Sequence, residues 1–173
     1  SVALKGGAPI TVAQVDGPVR GMTWPDDGTI VFATANATTG LQRVAASGGE
    51  VTVLTRPDAA RGEADHLSPG RLPGGRAVLF TTTSRTGEHV ALLDLETGDR
   101  KILVRGGTGP RYVESGHLVY VANGVLQAVP FDLRTRTMTG TPVPVLQQFG
   151  MLGRVSPVLD VAANGTLVYA RGS

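Results

Sequence analysis

The chain has 173 residues, of which 41% are hydrophobic, 17% charged and 5% aromatic. This is enough for one sizeable core or a few stacked units. The formal net charge is only +2, with no cluster of Lys and Arg, so a nucleic-acid face is not indicated. Cysteine is absent, which excludes disulfides, a thiolate nucleophile and thiolate zinc sites but leaves the compartment open.

No apolar run approaches the ~18–20 residues of a membrane-spanning helix, and the N-terminus shows no charged-then-apolar leader. The chain opens at Ser1 in a strand-like run and reads as a piece of something longer. The 24 glycines and 11 prolines are spread along the chain as punctuation, which suits many short strands joined by turns.

In chain order, Ser1–Lys5 alternates apolar with polar, and Ile10–Val15 reads as a second strand of an incomplete first unit. A full unit follows, with strands expected at Val19–Trp24, Thr29–Thr34, Leu41–Ala45 and Val51–Thr55. Pro25-Asp26-Asp27-Gly28 is its first turn: Pro suits the first corner, Asp tolerates the bend and Gly supplies positive φ. The next unit starts with a long loop, Arg56–Asp65. Its strands are expected at His66–Leu72, Ala77–Thr82, Val90–Leu95 and Lys101–Val104. The following unit opens on the loop Gly106–Pro110. Strands are expected at Arg111–Val113, Leu118–Ala122, Val125–Asp132 and Val143–Gln148, with an extended hairpin over Leu133–Pro142. Val158–Ala162 and Leu167–Ala170 close the chain as half a unit. No window of eleven residues carries convincing helical periodicity, so the fold class is all-β with four-stranded antiparallel units. The unit boundaries are near 1–15, 16–55, 56–104, 105–149 and 150–173.

One phrase recurs. A turn glycine and an apolar run ending in an aromatic occur at Gly28–Phe32, Gly75–Phe80, Gly116–Tyr120 and Gly165–Tyr169. The aromatic positions are 48, 40 and 49 residues apart, close to the ~40–50 residues of a four-stranded propeller blade. Phe32, Phe80, Tyr120 and Tyr169 are therefore expected to be buried at equivalent positions of successive blades.

Three stretches carry a family resemblance: Arg20–Phe32, Leu72–Thr81, and Gly116–Asp132 continued by Gly140–Val145. They resemble TolB-like (WD40-like) β-propeller repeats, and most closely the propeller region associated with bacterial eukaryotic-like serine/threonine kinases. The resemblance implies a propeller of six or more blades, of which this chain holds about four blades' worth. It also favours an extracytoplasmic setting. No kinase catalytic motif is present in the chain.

Candidate chemistry is sparse. His66, His89 and His117 lack metal-binding spacing, and Asp65 and His66 are neighbours whose side chains leave a strand on opposite faces. Ser47, Ser68, Ser84, Ser115 and Ser156 lack a nucleophile elbow. Gly106–Gly109 lacks the Lys-Ser/Thr of a phosphate loop. Asp26, Asp27, Asp94 and Glu96 could offer oxygen ligands to calcium but lie in turns that need Asp for their geometry. Trp24 reads as packing between blades. No metal, cofactor or catalytic residue is expected.

The reading is a non-catalytic binding or sensing module of a larger signalling protein, holding a protein, peptide or small ligand on its loop face. Arg20, Arg61, Asp65, His66 and Arg111 are the candidate binding residues. Together with Arg71 and Arg105, these arginines could make an electropositive mouth for an acidic partner. The alternative is the substrate-gating propeller of a prolyl-oligopeptidase-like peptidase or other hydrolase. Apolar edges at Val2–Lys5 and Leu167–Ala170 could pair between copies as a homo-oligomer, and an open arc is favoured over a ring closed by an Ala3–Val168 ladder.

Overall fold

A computed structural model describes residues 10–147, 149–152, 156–162 and 164–171. Three sheets follow one another along the chain. The first contains β1 (Val19–Thr23), β2 (Thr29–Thr34), β3 (Leu41–Ala45) and β4 (Thr52–Val53), joined in sequence order. A single 3₁₀ turn, Ala59–Arg61, leads into the second sheet: β5 (Glu63–Arg71), β6 (Ala77–Ser84), β7 (Gly87–Asp94) and β8 (Arg100–Arg105), again in sequence order. The third has β9 (Thr108–Val113), β10 (His117–Ala122), β11 (Val125–Asp132), β12 (Thr137–Met138) and β13 (Val143–Gln147). The eight residues of β11 pair with β10 along one edge and with two further strands along the other. Its first half pairs with β13 and its end with β12, which accounts for the long excursion between them. Two short hairpins follow, β14 (Met151–Leu152) with β15 (Ser156–Pro157) and β16 (Leu159–Val161) with β17 (Leu167–Tyr169).

The sheets stack because each central strand is apolar on both faces, as the two-residue side-chain period requires of a strand covered on both sides. In β6, Val78 and Phe80 join Val31, Ala33 and Leu41 of the first sheet in one core cluster. Their neighbours Ala77 and Leu79 turn the other way and join Leu118, Tyr120, Val129 and Phe131 of the third sheet. In β10, Val119 and Val121 face onward, against Leu159, Val161 and Leu167. The repeated aromatic thus has one role: Phe80 packs on the first sheet and Tyr120 on the second, each toward the preceding blade. Phe32, Phe80 and Tyr120 are 4%, 1% and 3% exposed.

Tyr169 departs from the expected burial at 38% exposure. Its sheet, β16–β17, is two strands wide and three residues long, so few side chains stand beside it. Ile10–Val15, expected as a strand, is irregular backbone. The expected Ser1–Lys5 strand and the Ala3–Val168 ladder lie outside the described residues.

Strands β5 and β9 start earlier than their sequence suggests, at Glu63 and Thr108, so the expected loops 56–65 and 106–110 are shorter than read. The inner strands β1, β5 and β9 lie side by side, and two glycines set their spacing. A Cβ on Gly21 of β1 would stand 2.9 Å from Ser68 Cα of β5, and one on Gly70 of β5 would stand 2.4 Å from Pro110 O of β9. Both are closer than real Cβ atoms come, so only glycine permits this approach.

Candidate functional site

The arginines expected to share one mouth are spread over several places. Arg20 lies 3.9 Å from Asp65, Arg71 bonds Asp26 at 3.1 Å, and Arg111 bonds Asp160 at 3.3 Å. Each of the three is paired with a carboxylate: Arg20 with Asp65 near the start of the inner strands, Arg71 with Asp26 near their opposite end, and Arg111 of β9 with Asp160 of β16. Arg61 and Arg105 lie elsewhere, in a lateral cleft of about 400 Å³ on the face of the second sheet that looks toward the first.

The strand register builds this cleft. His66 of β5 pairs with Thr82 of β6, Thr82 with His89 of β7, and His89 with Arg105 of β8. One row of side chains therefore crosses all four strands on one face, since directly paired residues share a face. The adjacent row, Phe80, Ala91 and Ile102, is apolar. Arg61 and Glu63 from the connecting turn, and Arg85 from the β6–β7 hairpin, complete the rim. Five cationic side chains (Arg61, Arg85, Arg100, Lys101 and Arg105) line the cleft with a single acid, Glu63.

Glu63 is already committed. Its Oε2 accepts from Arg100 Nη1 at 2.9 Å and from Asp58 N at 2.8 Å. Burial pushes its carboxyl up, but these two donors, with His66 and the Arg100 charge, outweigh that and hold it below the usual carboxylate range. Arg61 stands 3.3 Å from Asp58 across an exposed contact worth little in water. Arg85, Lys101 and Arg105 form no ion pair among the described residues.

His66 lies at the inner end of the row, completely buried. Its Nδ1 is 2.9 Å from Thr55 Oγ1, and its Nε2 is 3.2 Å from Glu63 Oε2 and 3.1 Å from Arg100 Nη1. In either tautomer both ring nitrogens have a partner. The ring packs edge-on against Phe80 with centroids 5.0 Å apart. Burial lowers its pKa to about 4; the Glu63 carboxylate opposes that and the Arg100 charge adds to it. All three partners are side chains, brought together by a register no single sequence shows. Thr55 Oγ1 in turn accepts from Leu41 N at 2.9 Å, so the network ties the first sheet to the second.

Two further lining residues were not among the expected binding residues. Thr82 is 3% exposed, and its hydroxyl oxygen has no hydrogen-bond partner. His89 accepts a bond at Nδ1 from Gly106 N, 3.2 Å away, which places the proton of the neutral ring on Nε2.

Other candidates are structural. Asp27 accepts from Thr29 N at 3.0 Å, and Asp94 accepts from Glu96 N at 2.8 Å and Thr97 N at 3.0 Å, as turn aspartates do. Asp94 also pairs with Arg136. His117 Nδ1 bonds within its own turn, to Ser115. Asp16 collects four side-chain donors, from Thr34, Gln42, Thr39 and Asn36, and stitches the approach to β1 onto the β2–β3 loop. Led by the Thr34 bond, they hold its carboxyl far below the usual range. Trp24 is 53% exposed, on the face of the first sheet turned away from the second, beside Met22, Ile30 and Phe32.

Stacked four-stranded antiparallel sheets, with inner strands side by side and outer strands at the rim, define a β-propeller. Solved propellers agree. TolB from Acinetobacter baumannii matches with a TM-score of 0.68 at 19% identity, over 99% of this chain and 42% of that one. Regucalcin, a calcium-binding protein from Agrobacterium tumefaciens, matches with a TM-score of 0.63 at 18% identity, over 93% of this chain and 56% of its own. The WD40 propeller domain of Doa1 matches with a TM-score of 0.52 at 12% identity, over 93% of this chain and 50% of its own. These likenesses are of fold. The chain spans about half the length of these propellers. No protein-family model matches the sequence, and no curated protein matches it.

Proposed function

We propose that this chain is a non-catalytic recognition module of a larger protein, and that it binds an acidic partner at the lateral cleft on its second blade. The observation that carries the reading is the charge balance there: five cations and one acid, with the acid already bound by Arg100. Cations left without counterions around a concave, partly apolar site attract and hold anions more strongly than the same charges on an open surface. The resemblance of the repeats to kinase-associated propellers supports placing the module in a signalling protein, where occupancy of the cleft is the sensed event.

The test uses a fluorescently labelled polyglutamate peptide and anisotropy at rising salt. Binding to the wild-type chain weakens as salt rises. The Arg61→Gln/Arg85→Gln/Arg105→Gln variant loses most of it, while Arg20→Gln/Arg71→Gln/Arg111→Gln keeps it. Equal loss in the two triple variants would show that binding follows net charge rather than the cleft.

A further inference from the structure

The same cleft has an arrangement finer than its charge. Thr82 is the second member of the row His66–Thr82–His89–Arg105, and its hydroxyl is buried without a partner. Its neighbour on the opposite face of β6, Thr81, shows how this chain treats a buried threonine. Thr81 Oγ1 meets Thr108 Oγ1 at 3.3 Å and accepts from Gly109 N at 3.0 Å. A buried hydroxyl that gives up its bonds to water costs stability unless something replaces them. Thr82 lines the cleft with its hydroxyl oxygen buried, next to a histidine whose Nδ1 is occupied by Gly106 N and whose Nε2–H is therefore a donor. Arg105 ends the row and forms no ion pair among the described residues. Hydroxyl, imidazole N–H and guanidinium in one row make a donor set for a single oxyanion. In the neighbouring row Ile102, 40% exposed, offers apolar surface beside it, with Phe80 and Ala91 buried beneath the cleft.

We infer that the cleft accommodates a small molecule carrying one oxyanion, phosphate or carboxylate, on an apolar body. The oxyanion takes the bonds of Thr82, His89 and Arg105, and the body lies against Ile102, above the buried Phe80 and Ala91. Arg61 and Arg85 at the rim steer it in. The cleft volume of about 400 Å³ is within the range of small-ligand sites and suits a body of about one ring. This inference rests on the reading of the cleft as an anion-binding site and adds the ligand's size and shape.

Calorimetric titration of the whole chain with phenyl phosphate, benzoate and inorganic phosphate tests it. Saturable binding of phenyl phosphate or benzoate is expected, tighter than that of inorganic phosphate because of the apolar row; which of the two binds better distinguishes phosphate from carboxylate. Thr82→Val should weaken the binding about tenfold, the scale of one lost bond to a charged group. The same variant should melt no lower than the wild type, because valine removes an unpaired hydroxyl and keeps the shape. Arg105→Gln should also weaken binding. The absence of saturable binding to any of the three compounds would overturn the inference. So would binding indifferent to both variants, or a lower melting temperature for Thr82→Val, which would show the hydroxyl already partnered. Polyglutamate that binds through Arg61, Arg85 and Arg105 while these compounds do not would reject the small ligand and leave the acidic-partner reading standing.

Discussion

His66 makes the stability of this chain sensitive to mild acid. In the unfolded chain its imidazole has the ordinary pKa of 6.5, whereas burial holds the folded value at about 4. Between these values the unfolded state binds a proton that the folded state does not, so stability falls as pH is lowered through the window. Each unit is worth about 1.4 kcal/mol. Going from neutrality to about pH 5 therefore removes about 2 kcal/mol, and the full window about 3 kcal/mol. Against a typical domain stability of ~5–15 kcal/mol this is a visible loss. Glu63 and Asp16, whose folded pKa values are depressed, also favour the folded state at higher pH. Their contributions are lost at more acid pH, below the ordinary carboxylate range, so the upper part of the window reports the histidine. The assay is urea unfolding at several pH values for the wild type and His66→Gln. The wild type should lose about 2 kcal/mol more than the variant between about pH 7 and pH 5. Parallel losses in the two chains, or an NMR titration of the His66 ring with its midpoint near 6.5, would refute the reasoning.

Three other perturbations follow from the packing. Gly70→Ala places a Cβ 2.4 Å from Pro110 O and forces β5 and β9 apart, costing about 1–3 kcal/mol by chemical denaturation; an unchanged midpoint would mean that the inner strands separate freely. Phe80→Ala empties the core between the first two blades and should cost about 3–5 kcal/mol, while also loosening the edge contact of His66; a loss under ~1 kcal/mol would contradict the stacked-blade core. Asp16→Ala frees four donors at the entry to β1 and should speed amide hydrogen exchange at Thr34–Gln42 without changing exchange in β10 and β11, whereas equal acceleration everywhere would show that the contact is not local.

Much of the fold was legible because each central strand writes its burial into a short run. Thr29–Thr34 and Val125–Asp132 appear with the bounds their apolar patterns suggest. The turn aspartates were equally plain, since Asp27 and Asp94 bond backbone two residues on. Polar inner-strand starts were not legible: Glu63-Ala64-Asp65 and Thr108-Gly109 look like loop, and they pair because the neighbouring strand extends past them. The cleft was legible only in part. Arg61 was visible near a blade entrance and lines the cleft, with the candidate His66 at the buried end of its row, while Arg20 and Arg111 lie apart from it. Those two are closed off by Asp65 and Asp160 from other strands, 45 and 49 residues away in sequence. Thr82 gave no sign, and His89 only that of a histidine without metal spacing, because what marks them is a cross-strand row and an unmet hydroxyl, and both exist only once the register is set.

The most direct test of the central claim is where an acidic ligand touches the chain. In a two-dimensional amide NMR titration with the polyglutamate peptide, the largest shifts are expected along Thr82, Arg85, His89 and Arg105, with Arg61 beside them. Shifts concentrated instead at Arg20, Arg71 and Arg111, leaving the cleft residues still, would contradict the account.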